Sequence, residues 1–205
     1  MRFSLAYEMQ RPMLDDHAVI EETIEQCILA DEMGLGKTLQ ALVWLQLKRV
    51  YPEAAGKPAL IVCPTSLVEN WVDEGEKFTP DLMFLNLTGT DREQRYDQIE
   101  QVDVVVTSYA IMRRDIEKLG AITFSIVALD EAQYIKNRST QNAIAAKKLL
   151  GHNRLVIKGT PVESSVADVW SIMDFVLTGY LGGYEHFRSK YEIPFGNGGE
   201  PAVPD

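Results

Sequence analysis

Cys27-Ile-Leu-Ala-Asp-Glu-Met-Gly-Leu-Gly-Lys-Thr38 is the stretch of sequence that decides the fold. It opens with a short apolar run, bends through a turn that contains Gly34 and Gly36, and leads into an amphipathic segment. In that segment apolar residues recur at helical spacing, namely Leu39, Leu42, Val43, Leu47 and Val50. The stretch therefore predicts a strand, a glycine turn and a helix in direct succession.

The glycine turn has the chemistry of a phosphate-binding loop. Gly34 and Gly36 let the backbone curl so that N–H groups point at phosphate oxygens, and the following helix N-terminus adds partial positive charge. We expect Lys37 to reach the β- and γ-phosphates and the Thr38 hydroxyl to bind Mg²⁺. Asp31 stands where the general pattern G-x-x-x-x-G-K-[ST] has its first glycine, so the match is incomplete. The strand before the turn and the helix after it favour phosphate binding over a chance match.

A second apolar run, Ser125 to Leu129, ends in two adjacent acids, Asp130 and Glu131. An aspartate at a strand tip can hold Mg²⁺, and a neighbouring glutamate can accept a proton from an attacking water. The alternative is a solvated turn that only begins the next helix. Two like charges at the end of a buried strand repel each other, which favours a cation or a catalytic role.

Composition and charge limit the classes of function. Lys plus Arg number 20 and Asp plus Glu 30, a formal net charge of −10, so the overall charge repels nucleic acid except at a local basic patch. Arg113, Arg114, Lys118, Lys136 and Arg138 could form such patches, or simply be solvated helix faces. Two cysteines, Cys27 and Cys63, are too few for a disulfide framework. With no apolar run of roughly 18–20 residues and no signal-peptide core, we expect a soluble cytoplasmic protein without a membrane partner.

Short runs rich in Val, Ile and Leu alternate with helical segments along the chain. The predicted strands are Cys27–Ala30, Ala59–Cys63, Leu82–Leu87, Val102–Thr107, Phe124–Leu129 and Leu155–Ile157. The predicted helices are His17–Gln26, the segment after Lys37, Ser66–Phe78, Tyr109–Leu119 and a helix capped by Ser139 that runs to Leu150. This alternation predicts an α/β fold with a mostly parallel central sheet and helices on both faces. We assign residues 1–180 to one domain, and residues 181–205, rich in Gly and Pro, to a linker or the start of another segment.

Five stretches of the chain, taken in order, resemble the first RecA-like, P-loop NTPase lobe of Swi/Snf-type ATPases. They are ILADEMGLGKTLQ, LIVCPTSLVENW, VVVTSY, ALDEAQYIKN and GTPVES. Swi/Snf-type ATPases are superfamily 2 helicase-like DNA translocases and remodellers, and the DEAQ form is similar to their bacterial branch. The resemblance spans roughly Ile28 to Tyr191. It implies a lobe that binds ATP and Mg²⁺ and, joined to a second RecA-like lobe, hydrolyses ATP to move double-stranded DNA or displace proteins bound to it.

The resemblance also implies roles for individual residues. The phosphates and metal would be bound by Gly34, Leu35, Gly36, Lys37 and Thr38. Asp130 would bind Mg²⁺, Glu131 would be the catalytic base, and Gln133 would sense the γ-phosphate. The adenine would be read by Gln10, although AYEMQRPML matches the family's opening pattern poorly. Coupling of hydrolysis to DNA movement would involve Gly159, Thr160 and Pro161.

Two further segments match family motifs that touch the DNA backbone. The first comprises Pro64, Thr65, Ser66, Asn70 and Trp71, and the second comprises Thr107, Ser108 and Tyr109. Hydroxyls and amides at helix starts can hold phosphates without reading sequence. For Trp71 the alternative is core packing, and for Thr65 and Ser66 it is helix capping.

The chain departs from the family pattern at two positions beside the coupling motif. Lys158 replaces a hydroxyl residue, and Ser164 replaces an asparagine. The arginines by which a second lobe reaches the γ-phosphate do not follow GTPVES, so we expect an isolated lobe or a piece of a longer protein that hydrolyses ATP slowly. A nucleotide-dependent interaction module without motor activity is the alternative, and a small-molecule kinase is disfavoured because no acceptor site is evident.

Overall fold

The computed structural model describes residues 26–30, 36–48, 56–158 and 166–192. In these ranges six strands form one sheet in which every paired neighbour is parallel. The strands are β1 Gln26–Ala30, β2 Ala59–Cys63, β3 Phe84–Asn86, β4 Val104–Ser108, β5 Thr123–Asp130 and β6 Leu150–Lys158. Their order across the sheet is β1-β6-β5-β2-β4-β3. The predicted α/β class and parallel sheet are confirmed.

Seven α-helices connect or flank the described strands. They are α1 Lys37–Lys48, α2 Val68–Phe78, α3 Tyr109–Arg114, α4 Ile116–Leu119, α5 Gln141–Lys148, α6 Val166–Val176 and α7 Tyr184–Phe187. Shorter 3₁₀ segments cover Thr65–Leu67, Arg92–Gln101 and Ala132–Ile135, and Arg188–Glu192 forms a π-helical turn. No helix of the described ranges is long and apolar enough to cross a membrane.

The helices pack on both faces of the sheet because alternate strand residues point to opposite sides. On one face Ile61 of β2 lies in a buried cluster with Leu42 of α1 and Trp71 of α2. On the other face Val62 of β2 lies with Met112 of α3 and Phe175 of α6. All five residues of β2 are buried, as expected for a central strand covered on both sides.

The predicted helix from Ser139 to Leu150 is wrong at both ends. Thr140, not Ser139, is the N-cap, and its hydroxyl accepts a hydrogen bond from Ala143 N at 3.3 Å. Helix α5 ends at Lys148, and β6 begins at Leu150 because Gly151 already pairs with Phe124 of β5. The sequence does not predict the first five residues of β6, Leu150 to Arg154, because they lack the continuous apolar run of a buried strand.

The segment predicted as a linker from residue 181 is folded over its described part. Helix α7 and the π-helical turn follow α6, and the rings of Trp170 and Tyr184 meet edge to face at 5.2 Å. The Trp170 indole N–H donates to Gly182 O at 3.2 Å, and Phe187 is buried. The described residues 181–191 therefore pack on the lobe. The proposed helix His17–Gln26 lies, apart from Gln26, outside the described residues.

Candidate functional site

The chemistry-bearing residues meet at one edge of the sheet. Parallel strands bring their carboxyl ends to the same side, and the ends of β1, β2, β4, β5 and β6 line that edge. The register sets the neighbours at this edge: Asp130 pairs with Ile157 of β6, and Cys63 pairs with Ser108 of β4. Ligands of open α/β sheets bind at this carboxyl edge.

Helix α1 begins at Lys37, directly after Gly36, whose left-handed backbone conformation favours glycine. Gly36 has φ +79°, and its carbonyl accepts the first helical hydrogen bond from Gln40 N at 3.0 Å. The side chains of Lys37 and Thr38 are half-buried. The first N–H groups of a twelve-residue helix are free of intrahelical partners, so they can receive an anion.

Asp130 is the buried acid of the site, with 9% of its surface exposed. Its Oδ2 accepts a hydrogen bond from the Trp71 indole N–H at 2.9 Å, and its Oδ1 accepts one from the Glu131 backbone N–H at 2.8 Å. Burial raises the pKa of Asp130, the two hydrogen bonds and the charge of Lys37 lower it, the charge of Glu131 raises it, and the net direction is upward. Helix α1 follows β1 along the chain and begins at Lys37, so Lys37 lies toward the same carboxyl edge at which β5 ends in Asp130.

Glu131 and Gln133 follow Asp130 in a strained turn. The backbone of Glu131 is left-handed, with φ 54° and ψ 59°, an arrangement that costs energy in a residue with a side chain. Gln133 Nε2 donates to Glu131 Oε2 at 2.8 Å. Gln133 is exposed and Glu131 is half-buried, so the pair faces solvent beside the buried acid.

The donors at this edge fit Mg²⁺. The ion prefers oxygen ligands and commonly takes one or two carboxylates together with substrate phosphates and water. Asp130 supplies a carboxylate whose negative charge is disfavoured by burial, and a bound cation would offset that cost. In the described ranges no three His, Cys, Asp or Glu residues gather as a metal site.

The first predicted DNA segment is only partly exposed. Pro64 is half-buried, while Thr65, Ser66 and Asn70 are exposed around the start of α2. The N-cap positions here are Pro64 and Leu67, and neither makes a side-chain cap, so the capping alternative for Thr65 and Ser66 is not observed.

Trp71, which the sequence assigns to a segment that contacts DNA, has a buried side chain, and its contact with DNA stays a prediction. Its side chain is 1% exposed and packs in the core, which agrees with the alternative from the sequence. A buried indole N–H needs an acceptor, and here that acceptor is Asp130. Sequence patterns do not indicate this bond, because it joins residues 59 positions apart.

The side chains of the second segment predicted to contact DNA are also internal, and that contact stays a prediction. Thr107 is fully buried and its hydroxyl donates to Leu87 O at 2.9 Å. Ser108 is the N-cap of α3 and accepts from Ile111 N at 3.3 Å. Tyr109 is 4% exposed, and its hydroxyl donates to Asp130 O at 2.8 Å.

Several predicted residues lie outside the described ranges: Gln10, Gly34, Leu35, Gly159, Thr160 and Pro161. Lys158, just before the coupling motif, is buried at the carboxyl end of β6 and pairs in register with Ala30 of β1.

A cleft of about 310 Å³ opens at the opposite, amino edge of the sheet. Its walls include Lys57, Glu100, Asp103 and Ser125. Of the residues predicted for nucleotide or metal binding, none of those that the structure describes lines it. We therefore place the functional site at the carboxyl edge.

Comparison with known proteins identifies the family. The model of the SNF2-related domain matches residues 10–203, which is nearly the whole chain.

This chain belongs to the SNF2-related domain family.

Individual relatives agree with this assignment. This chain is 39% identical over 172 residues to the putative ATP-dependent helicase/translocase YwqA of Bacillus subtilis. It is 37% identical over 181 residues to TATA-binding protein-associated factor 172 of Homo sapiens. It is 38% identical over 175 residues to a protein of Mycoplasma pneumoniae named an uncharacterized ATP-dependent helicase. These matches cover 81%, 82% and 84% of the chain, but only 18%, 10% and 17% of the respective relatives.

Solved structures show the same fold. The SWI2/SNF2 ATPase core of Sulfolobus solfataricus in complex with dsDNA is 38% identical, with a TM-score of 0.78 over 85% of this chain and 36% of that one. The core domain of the same organism gives 37% identity and a TM-score of 0.75, over 87% of this chain and 36% of that one. The SNF2-related domain thus has the RecA-like fold of the SWI2/SNF2 ATPase core, as the sequence motifs predicted.

Proposed function

We propose that this SNF2-related domain is the ATP-binding N-terminal lobe of a DNA-dependent ATPase that moves on DNA or remodels protein–DNA complexes. The observation that supports the proposal is that helix α1, which begins at Lys37, follows β1 at the sheet edge where β5 ends in Asp130 and Glu131. A helix N-terminus bearing a lysine, opposite a buried acid, is an arrangement suited to a nucleotide triphosphate and its metal.

The role that we propose for each residue follows from the chemistry of its side chain. Lys37 and the first amides of α1 hold phosphate oxygens, while Thr38 and Asp130 hold Mg²⁺. When held by Thr38 and Asp130, Mg²⁺ would supply positive charge that offsets the phosphate charge built up during hydrolysis. Glu131 accepts a proton from the attacking water, and Gln133, hydrogen-bonded to its carboxylate, senses the γ-phosphate.

Double-stranded DNA is the proposed partner along which the protein moves. The Sulfolobus core, which shares this fold at 38% identity, was solved with dsDNA bound, and this supports a DNA partner. Exposed groups at the start of α2, from Thr65 to Asn70, are the proposed backbone contacts on this lobe. A second RecA-like lobe completes the ATP site and closes on DNA, and DNA-bound proteins are displaced by the movement. Such a function places the protein in the cytoplasm, at the nucleoid in a bacterium.

The test is phosphate release with and without double-stranded DNA, measured on the 205-residue chain and on the chain joined to a second lobe. We expect DNA to stimulate turnover strongly in the two-lobed protein and the single lobe to hydrolyse ATP slowly. ATP binding without DNA-stimulated turnover in the two-lobed protein would instead favour an interaction module that lacks motor activity.

A further inference from the structure

Two hydrogen bonds reach Asp130 from outside its own strand. The Trp71 indole N–H, on α2, donates to the carboxylate at 2.9 Å. The Tyr109 hydroxyl, at the start of α3, donates to the main-chain carbonyl at 2.8 Å. The two donors come from the two segments whose sequence resembles DNA-contact motifs, yet both side chains are buried.

The bond from Trp71 fixes the direction of the carboxylate. A carboxylate offers about four lone-pair positions. Trp71 uses one on Oδ2, and the Glu131 backbone N–H uses one on Oδ1. One position on each oxygen is therefore left for other ligands, and rotation of the carboxylate about its Cβ–Cγ bond would break both hydrogen bonds. An N–H bond to a carboxylate is charge-assisted, which makes it a strong restraint.

The bond from Tyr109 fixes the backbone at the same residue. The Tyr109 ring is itself held, because it stacks on Tyr134 with 4.9 Å between ring centroids and 11° between planes. Its hydroxyl binds the carbonyl of Asp130, directly before the left-handed residue Glu131. Tyr109 thus restrains the peptide that sets the positions of both acids.

We propose that Trp71 and Tyr109 are positioning residues that hold the carboxylate and the main chain of Asp130 in the orientation needed to bind the metal. Both side chains are buried and donate to Asp130, so each acts through that residue. The inference rests on the proposed function, because it takes Asp130 as a ligand of nucleotide-bound Mg²⁺. Partners that orient a metal ligand typically contribute about 10–100-fold to metal affinity.

The test is the affinity for Mn²⁺, followed by electron paramagnetic resonance, in the 205-residue chain with a non-hydrolysable ATP analogue. Trp71→Phe keeps an aromatic ring and removes the N–H, and its matched control is Trp170→Phe, which removes an indole bond to Gly182. Tyr109→Phe removes the hydroxyl, and its control is Tyr96→Phe, whose hydroxyl donates to Asp115. We expect Mn²⁺ to bind about tenfold more weakly, or worse, in Trp71→Phe and more weakly in Tyr109→Phe, with both controls unchanged.

Each outcome has a separate meaning. If Mn²⁺ binds Trp71→Phe or Tyr109→Phe as tightly as its control, the positioning role of that residue is overturned. If the wild-type chain fails to bind Mn²⁺ with the analogue, the proposed function itself is overturned.

A measurement on the wild-type chain covers the case in which a variant fails to fold. In ¹⁵N-labelled protein, the indole N–H resonance of Trp71 should shift more than that of Trp170 when Mg²⁺ and the analogue are added. Equal shifts, or no shift of Trp71 while the nucleotide binds, would overturn the inference.

Discussion

Glu131 turns the chain at the end of β5, and among the described non-glycine residues it alone has a positive φ. Strain of this kind persists only where surrounding contacts hold it, and here Asp130 Oδ1 accepts from the Glu131 backbone N–H. The turn brings the Glu131 carboxylate out of the core and against Gln133, while Asp130 stays buried. Adjacent acids thus occupy different environments, which suits one to a metal and the other to a proton.

Replacing Glu131 with Gln should separate ATP binding from ATP hydrolysis. The amide has nearly the same shape but cannot accept the proton of an attacking water, so we expect turnover to fall by ~10²–10⁴ with little change in nucleotide affinity. The measurement is phosphate release by the two-lobed protein, with Glu100→Gln at the opposite sheet edge as control. Retained turnover would mean that another group is the base.

Asp115 illustrates how a buried ion pair makes stability depend on pH. Burial acts to raise its pKa, but hydrogen bonds from Arg92 at 2.7 Å and Tyr96 at 3.0 Å outweigh that effect and hold the pKa below its usual value. A carboxyl group whose pKa is lowered by folding stabilises the protein above its unfolded pKa of about 3.9, and that contribution is lost as the pH falls through the lower folded value.

We therefore expect Asp115→Asn to lower the melting temperature by a few degrees at pH 7, because the charged bidentate partner of Arg92 is lost. The difference from wild type should shrink as the pH falls below about 4. Thermal denaturation of Asp115→Asn and wild type, measured from pH 7 to below about 4, tests this expectation. Asp91→Asn is the control, since Asp91 pairs with Arg95 on the exposed surface and should matter little. A difference that stays constant down to the lowest pH would contradict the assignment.

At the scale of secondary-structure elements, the apolar patterns of the sequence predict most of the strands and helices. Strand β2 was predicted with its observed bounds, because its apolar run is buried on both faces. The 3₁₀ segment Arg92–Gln101 is not predicted, because its polar sequence has little periodicity and the pairing of Arg92 with Asp115 joins distant parts of the chain. The site was predicted as residue types at strand ends, whereas the bonds from Trp71 and Tyr109 to Asp130 arise only from packing.

Gly75 allows α2 to lie close against β3. A Cβ built at Gly75 would come 2.3 Å from the Phe84 ring, which is too close for any side chain. Gly75 lies one turn after Trp71, so the close approach also sets where the indole sits. In an exposed helix, Gly to Ala stabilises by about 1 kcal/mol, but here the clash should dominate.

We expect Gly75→Ala to lower the free energy of unfolding by about 1–3 kcal/mol in chemical denaturation. Gly183→Ala is the control, because a Cβ there meets nothing within 4 Å. Equal stability of Gly75→Ala and wild type would show that Phe84 moves aside without cost.

At the scale of the whole molecule, the carboxyl and amino edges of the sheet carry different groups. The carboxyl edge carries Lys37, Asp130 and Glu131, while the amino edge carries the cleft near Lys57 and Asp103. With a net charge of −10, the lobe as a whole repels phosphate, so nucleotide and DNA must be drawn by local groups. We therefore propose that a few residues at the carboxyl edge form a triphosphate site on an acidic protein.

Calorimetric titration of the chain with ATP and Mg²⁺ tests this claim most directly. Lys37→Ala should abolish the binding heat, because it removes the ammonium group that meets the phosphates. Lys57→Ala, which removes the same charge from an exposed residue at the amino edge, should leave binding unchanged. Wild-type affinity in Lys37→Ala, or loss of binding in Lys57→Ala alone, would contradict the account.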